Sequence, residues 1–230
     1  RIKSEKHSVI KRCAVLFLTE KLWYNSEKCV SDSGKDDSGR MRRIDREVTD
    51  LTEILKIIDA AKILGSKVTM GLMRGLGSQT TMDKDLKELA EAMKPIIEYA
   101  DKKGVIICLE AINRYETALL NSAEATVEFI DNGLGNPDCV GILWDLFHAN
   151  IEDIGYERSI KIMGNKLKHI HLADSNRMFP GYGHTDIAAI LKMVKNTGYS
   201  EYASFECFNL PSLETVLNET GAWVQKMREL

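Results

Sequence analysis

Apolar residues along this chain fall into short continuous runs separated by longer stretches with helical spacing. Residues 13 to 19, Cys-Ala-Val-Leu-Phe-Leu-Thr, are apolar on both alternating faces, as in a strand covered on both sides. Residues 67 to 72, 105 to 111, 141 to 147, 167 to 173 and 202 to 208 repeat that pattern. Between them the period changes to that of a helix. Val48, Leu51, Ile54, Leu55, Ile58 and Ala61 make one apolar stripe, ended by Gly65. Leu86, Leu89, Met93, Ile96, Ile97 and Ala100 make another over residues 82 to 103, with Gly104 as its cap. Further helices are predicted from Asn121, with Glu124 at capping-box spacing, to Gly133, and over 154 to 163, 187 to 196 and from Ser212 onward. Residues 25 to 40 are rich in Ser, Asp, Gly and Lys and predict a loop.

Strand followed by helix, six times over, is the pattern of a parallel sheet with helical crossovers. The expected fold is α/β, a TIM (β/α)8-type barrel, N-terminally incomplete, with about six βα units visible and the first two, which would precede Cys13, missing. Residues 1–230 then form a single barrel domain, a length that one such domain can fill.

The polar residues are not scattered evenly over this frame. The last four predicted strands each carry one metal-ligand residue type near the end: Glu110, Asp145, His171 and Glu206. In a β/α barrel the carboxyl ends of the strands open on one mouth, where chemistry is done. One such acid alone would read as a salt bridge or a cap. Four in step would each be costly to bury unpaired, so a shared cation is expected. Three carboxylates and one imidazole suit Mn²⁺, Mg²⁺ or Co²⁺ better than a structural zinc. His169 lies one layer below His171 on the same face, because side chains alternate. It is expected in the barrel interior, and His184 is expected to be structural. Asn113, Arg114, Glu116, His148, Asp174 and Arg177 follow the four ligands closely and are types that bind a polyhydroxylated molecule. Trp144 and Phe147 are expected as barrel wall.

Composition narrows the rest. A formal net charge of -3 and 28% charged residues give no pull toward nucleic acid or an anionic membrane. No apolar run reaches the roughly 18 residues of a membrane span. The opening Arg-Ile-Lys-Ser-Glu-Lys-His has no signal-peptide core. Five scattered cysteines, Cys13, Cys29, Cys108, Cys139 and Cys207, read as reduced thiols, so a cytoplasmic protein is expected.

Four segments carry a resemblance. Leu109-Glu-Ala-Ile-Asn-Arg-Tyr-Glu116, Trp144-Asp-Leu-Phe-His-Ala-Asn-Ile-Glu152, His169-Ile-His-Leu-Ala-Asp-Ser-Asn-Arg177 with Pro180-Gly-Tyr-Gly-His184, and Ser204-Phe-Glu-Cys-Phe208 resemble the sugar isomerase/epimerase family with a xylose-isomerase-like TIM barrel. They are most similar to its ketose 3-epimerase (D-tagatose 3-epimerase) group. The resemblance implies one divalent metal, usually Mn²⁺, on Glu110, Asp145, His171 and Glu206. It implies Glu110 and Glu206 as catalytic acid/base residues on opposite faces of the reacting carbon. Glu116, His148 and Arg177 would hold the oxygens of a small-molecule sugar substrate. A homodimer or homotetramer is common in that family. A hydroxypyruvate-type aldose–ketose isomerase and an inosose-type dehydratase share the chemistry and stay open as alternatives. An endonuclease-IV-like DNA repair nuclease is more distant, because its three zinc ions need more histidines than the five present here.

Overall fold

The computed structural model describes residues 51–229. The predicted strand at 13 to 19, the loop at 25 to 40 and the start of the first helix lie outside the described residues. Within them, five parallel strands lie side by side in chain order. They are β1 (Val68–Met70), β2 (Ile107–Glu110), β3 (Val140–Asp145), β4 (Leu167–Leu172) and β5 (Tyr202–Phe205). Helix α1 (Leu51–Leu64) precedes β1, and α2 (Met82–Lys103) connects β1 to β2. The 22-residue α2 begins and ends where its periodicity says it should, closed by Gly104 in the left-handed conformation. It runs on through Pro95, which is exposed, so the carbonyl that loses its partner faces water.

Several elements differ from the sequence expectation. Ser122, not Asn121, caps α3 (Ala123–Glu128), accepting from the Ala125 N–H at 3.2 Å. Asn121 instead donates its amide to the carbonyls of Ile112 and Thr117, bracing the loop above β2. β3 stops at Asp145, and Leu146 and Phe147 open a helix that the sequence did not reveal, α4 (Leu146–Glu152). The predicted helix over 154 to 163 is correspondingly shorter, α5 (Tyr156–Met163). β5 ends at Phe205, so Glu206 sits one residue beyond its strand. The later helices α6 (Ile187–Asn196) and α7 (Leu213–Arg228) match their predicted positions.

The sheet is a curved half of a barrel wall. Lys67, just before β1, donates to the Lys168 carbonyl at the foot of β4 (2.7 Å) and to Glu201, just before β5 (2.8 Å). In a flat sheet β1 and β5 would lie about 19 Å apart, far beyond the reach of a lysine. The outward face packs on the helices through Ile107, Leu109, Ile142, Trp144, Ile170 and Leu172, all buried. The inward face carries Cys108, Leu143, His169 and Ser204 one layer below the mouth.

Curvature requires small residues where strands crowd. A Cβ on Gly141 would stand 2.8 Å from the Lys166 carbonyl and closer still to the Lys168 side chain. Gly155, with extended backbone (φ 177°), has nothing within 4 Å. Gly141→Ala should therefore destabilise by about 1–3 kcal/mol through overpacking, and Gly155→Ala by less than about 0.5 kcal/mol. Urea unfolding of both variants checks the contrast, and equal midpoints would contradict it.

Candidate functional site

The register of the strands decides where the four candidate ligands meet. Glu110 pairs with Leu143, so Asp145 stands two residues further up its own strand. Asp145 is level with His171. His171 is level with Ser204, which puts Glu206 two residues higher again. Four residues of stagger over three strand steps is close to what a barrel tilt of about 36° produces, roughly one residue per strand. Side chains that are staggered in the sheet thus become level at the mouth. One ligand atom from each of Glu110, Asp145, His171 and Glu206 lies within 4.8 Å of all the others. His171 Nδ1 is the centre, 3.0 Å from Glu206 Oε2, 3.5 Å from Glu110 Oε1 and 3.8 Å from Asp145 Oδ2.

Asp145 divides its two oxygens between two tasks. Oδ1 accepts the Phe147 N–H at 2.8 Å and caps α4. Oδ2 is fully buried and has no hydrogen-bond partner. Burial, and next the neighbouring Glu206 charge, push Asp145 well above the ordinary carboxylate range. Burial opposes ionisation of Glu206 as well, but the hydrogen bond and charge of His171, with Arg177 close by, bring it down to about 2. Burial would lower His171; its hydrogen bonds to Glu110 and Glu206 overturn that and lift it to about 10. A proton on His171 thus occupies the place that the orphaned oxygen and the two glutamates could offer to a cation.

The residues expected to bind substrate surround this cluster. Arg177 Nη2 donates to Glu206 Oε2 at 3.0 Å, and its guanidinium carbon sits 4.8 Å over the Phe147 ring. Phe147 therefore faces the site instead of serving only as wall. His148 is buried, with Nε2 3.3 Å from Arg177 Nη1 and 4.0 Å from Asp145 Oδ2. Glu116 is exposed on the rim, and its Oε1 accepts from the Asn113 amide at 2.9 Å. Trp144 is fully buried on the other face and donates to Asp153 at 2.9 Å, which bears out its role as wall.

The loop after β4 is built on Asp174. Its carboxylate accepts the backbone N–H groups of Ser175, Gly181 and Thr185 at 2.7 to 3.0 Å. Burial works against its charge, and these donors prevail, holding Asp174 below the usual carboxylate range. Asp174 is thus loop support rather than a direct ligand contact. His169 bonds Ser204 Oγ at 2.8 Å in the interior, and burial lowers its imidazole to about 3. His184 is exposed on the rim.

Two residues near the cluster were not singled out by the sequence. A Cβ on Gly71 would meet Glu110 Oε2 at 3.0 Å, so the absence of a side chain there gives Glu110 its room. Arg74 is buried and donates to the carbonyls of Gly71 (2.9 Å) and Leu119 (3.0 Å), joining two loops at the mouth. A buried arginine held by carbonyls has no local sequence signature, because its partners are backbone atoms, one of them 45 residues away.

Residues 39–228 match the xylose isomerase-like TIM barrel family. Among curated relatives, the L-ribulose 3-epimerase of Mesorhizobium japonicum is 33% identical over 163 residues, 69% of this chain and 54% of its own length. The D-psicose 3-epimerase of Enterocloster bolteae is 30% identical over 154 residues, 67% of this chain and 48% of its own length. This chain spans about half the length of both relatives. Among solved structures, the 3-keto-D-glucoside 4-epimerase of E. coli superposes with a TM-score of 0.69 at 22% identity, covering 79% of this chain and 72% of that one, a likeness of fold. An L-ribulose 3-epimerase superposes with a TM-score of 0.62 at 29% identity, over 75% of this chain and 59% of that one. The parallel half-barrel and the match over residues 39–228 agree, and the chain belongs to the xylose isomerase-like TIM barrel family.

Proposed function

We propose that the protein is a divalent-metal-dependent isomerase of keto sugars, a ketose 3-epimerase working by proton abstraction next to the carbonyl through an enediolate. The observation that carries this reading is the meeting of Glu110 and Glu206, from the first and last strands of the four, on one imidazole with an orphaned buried Asp145 oxygen. Relatives of about 30% identity bear the names L-ribulose 3-epimerase and D-psicose 3-epimerase, which favours a small sugar as substrate.

The donor set fits a cation. Three carboxylates carry three negative charges, which a dication together with Arg177 would balance. Mn²⁺, with Mg²⁺ or Co²⁺ as alternatives, suits three oxygen donors and one nitrogen. Held by Glu110, Asp145, His171 and Glu206, it would supply a Lewis acid that acidifies the hydrogen beside the carbonyl and stabilises the enediolate. The chain's own residues do the rest. One of Glu110 and Glu206 removes the proton from one face of the carbon. The other returns a proton to the opposite face, which inverts the centre. Arg177 and His148 donate to sugar oxygens, and Glu116 on the rim accepts from a hydroxyl. Arg177, stacked over Phe147, adds its charge to that of His171 in keeping Glu206 ionised and ready to act as base.

We further propose one barrel domain, a cytoplasmic location and a homodimer or homotetramer. The free thiols of Cys108, Cys139 and Cys207 support a reducing compartment. Among the described residues no helix is long and apolar enough to cross a membrane. A three-zinc DNA repair nuclease is disfavoured: among the described residues the ligand cluster contains one histidine, and His184 is exposed on the rim.

Incubation with Mn²⁺ and a panel of D-tagatose, D-fructose and L-ribulose tests the reaction. The expected outcome is a C3 epimer of at least one sugar; a metal-loaded protein that returns all three unchanged overturns the epimerase reading. Glu206→Gln should lower kcat by about 10³-fold or more, as expected when an acid/base group is lost, with the circular dichroism spectrum retained. Turnover within about threefold of wild type would exclude Glu206 as the proton carrier. Metal binding must displace the His171 proton, because the imidazole sits near 10 without a cation. Calorimetry of Mn²⁺ binding at pH 7 in buffers of different ionisation enthalpy should show proton release. The affinity should rise about tenfold per pH unit for each proton displaced, so equal affinity at pH 6 and pH 8 would remove His171 from the ligand set.

A further inference from the structure

The hydrogen bonds around Asn113 have a consequence for His148. The Asn113 side chain is buried at the mouth and makes three bonds in three directions. Its Oδ1 accepts the Tyr115 N–H at 2.9 Å. Its Nδ2 donates one hydrogen to Glu116 Oε1 at 2.9 Å and the other to His148 Nδ1 at 2.7 Å. Rotating the amide by half a turn would set an N–H donor against the Tyr115 N–H and an oxygen against the Glu116 carboxylate. Each mismatch would leave the buried Asn113 amide facing a like group in place of a hydrogen-bond partner. The amide orientation is therefore fixed from outside the histidine, and Nδ1 must accept.

A neutral imidazole with an accepting Nδ1 carries its hydrogen on Nε2. That nitrogen faces Arg177 Nη1 at 3.3 Å. A guanidinium can only donate, so the pair consists of two donors and is no hydrogen bond. Two N–H groups from α4 and from the loop after β4 then converge on the same space, with no acceptor between them among the described residues. Asp145 Oδ2, the nearest carboxylate oxygen to Nε2, is 4.0 Å away. Such a pair of pre-oriented donors is suited to one oxygen that gains negative charge during a reaction.

The geometry points to Asn113 as a positioning residue: it locks His148 in the Nε2–H tautomer, so that His148 and Arg177 together present two donors to a single substrate oxygen. The same amide holds Glu116 through its second hydrogen, so one side chain sets two of the groups that line the mouth. The joint use of the donors rests on the sugar-site reading above, whereas the tautomer can be measured with no sugar present. Arg177 supports the arrangement from its own side. Its φ of 60° is in the left-handed region, and its backbone is held by an N–H bond to Asp174 O (2.8 Å) and by its carbonyl accepting from Phe208 (2.7 Å).

The test is long-range ¹H–¹⁵N NMR of the full chain labelled with ¹⁵N-histidine, with Mg²⁺ in place of paramagnetic Mn²⁺. Five histidines are present, and the His148 signals are those lost in His148→Gln. Wild type is expected to show His148 as the Nε2–H form. Asn113→Asp, nearly isosteric but able only to accept, should convert it to the Nδ1–H or doubly protonated form. A wild-type His148 in the Nδ1–H form overturns the proposal, whether or not the variant folds, and so does an unchanged His148 pattern in a folded Asn113→Asp. In the sugar assay His148→Gln, which keeps a donor at the Nε2 position, should retain about tenfold more kcat/KM than His148→Asn, the scale of one positioned hydrogen bond. A tautomer that switches as expected in a protein inert toward every ketose would sink the epimerase reading and leave the role of Asn113 in place.

Discussion

Three carboxylates cannot share one buried pocket without positive charge in their midst. At about 4 Å and an effective dielectric constant near 20, each like-charged pair costs roughly 4 kcal/mol. Three pairs approach the entire stability of an ordinary domain, about 5–15 kcal/mol. Glu110, Asp145 and Glu206 converge within 4.8 Å of one another, so the fold is tenable only because cations are built in. His171 and Arg177 are those cations. His171 takes a proton at the centre, and Asp145, the carboxylate with least access to donors, moves toward its neutral form. The metal-free protein thus neutralises its site with protons. A dication does the same without them, which is why the ligand set and its proton affinities describe one property.

The barrel geometry exists in the service of that convergence. Parallel strands in hydrogen-bonded register would leave Glu110, Asp145, His171 and Glu206 at different heights. The tilt that curls the sheet levels them. At the opposite end, Lys67 reaching to Glu201 reports the same curvature. Its ion pair is partly exposed and worth little by itself. Gly141 at the foot of β3 and Gly71 beside Glu110 mark the places where curvature leaves no room for a side chain.

Much of this was legible in the sequence because it depends on local periodicity and on the end of each strand. The four members of the cluster could be picked out because Glu110, Asp145, His171 and Glu206 each interrupt an apolar run at the same phase. The bounds of α2 and α6 were legible because their stripes are long and their caps follow the rules. What stayed hidden is where an apolar run changes conformation without changing composition. Leu146 and Phe147 are as suitable for a strand as for a helix. The turn between β3 and α4 is set by the Asp145 carboxylate capping Phe147, a contact that periodicity does not encode. Phe147 was read as wall because aromatic residues at strand ends more often pack the barrel wall than meet a ligand, and its place under Arg177 depends on a loop 30 residues away. Ser122 displaced Asn121 as a cap because Asn121 found better acceptors across the loop.

The loop after β4 shows how local strain is held in place by chemistry close to the site. Arg177 adopts a left-handed backbone that costs a non-glycine residue about 1–2 kcal/mol. A glycine there would relieve the strain and lose the guanidinium. Asp174, three residues earlier, ties the loop down with its carboxylate on three backbone N–H groups and its carbonyl on the Arg177 N–H. A carboxylate accepting several charge-assisted bonds is worth more than the strain it offsets. The side chain so delivered lies between Glu206, His148 and the face of Phe147, where its charge adds to the larger effect of His171 in keeping Glu206 ionised. An aspartate outside the carboxylate cluster thus bears on a glutamate within it through the backbone of an arginine. Loop and metal cluster are therefore one electrostatic unit, even though they occupy different parts of the sequence motif.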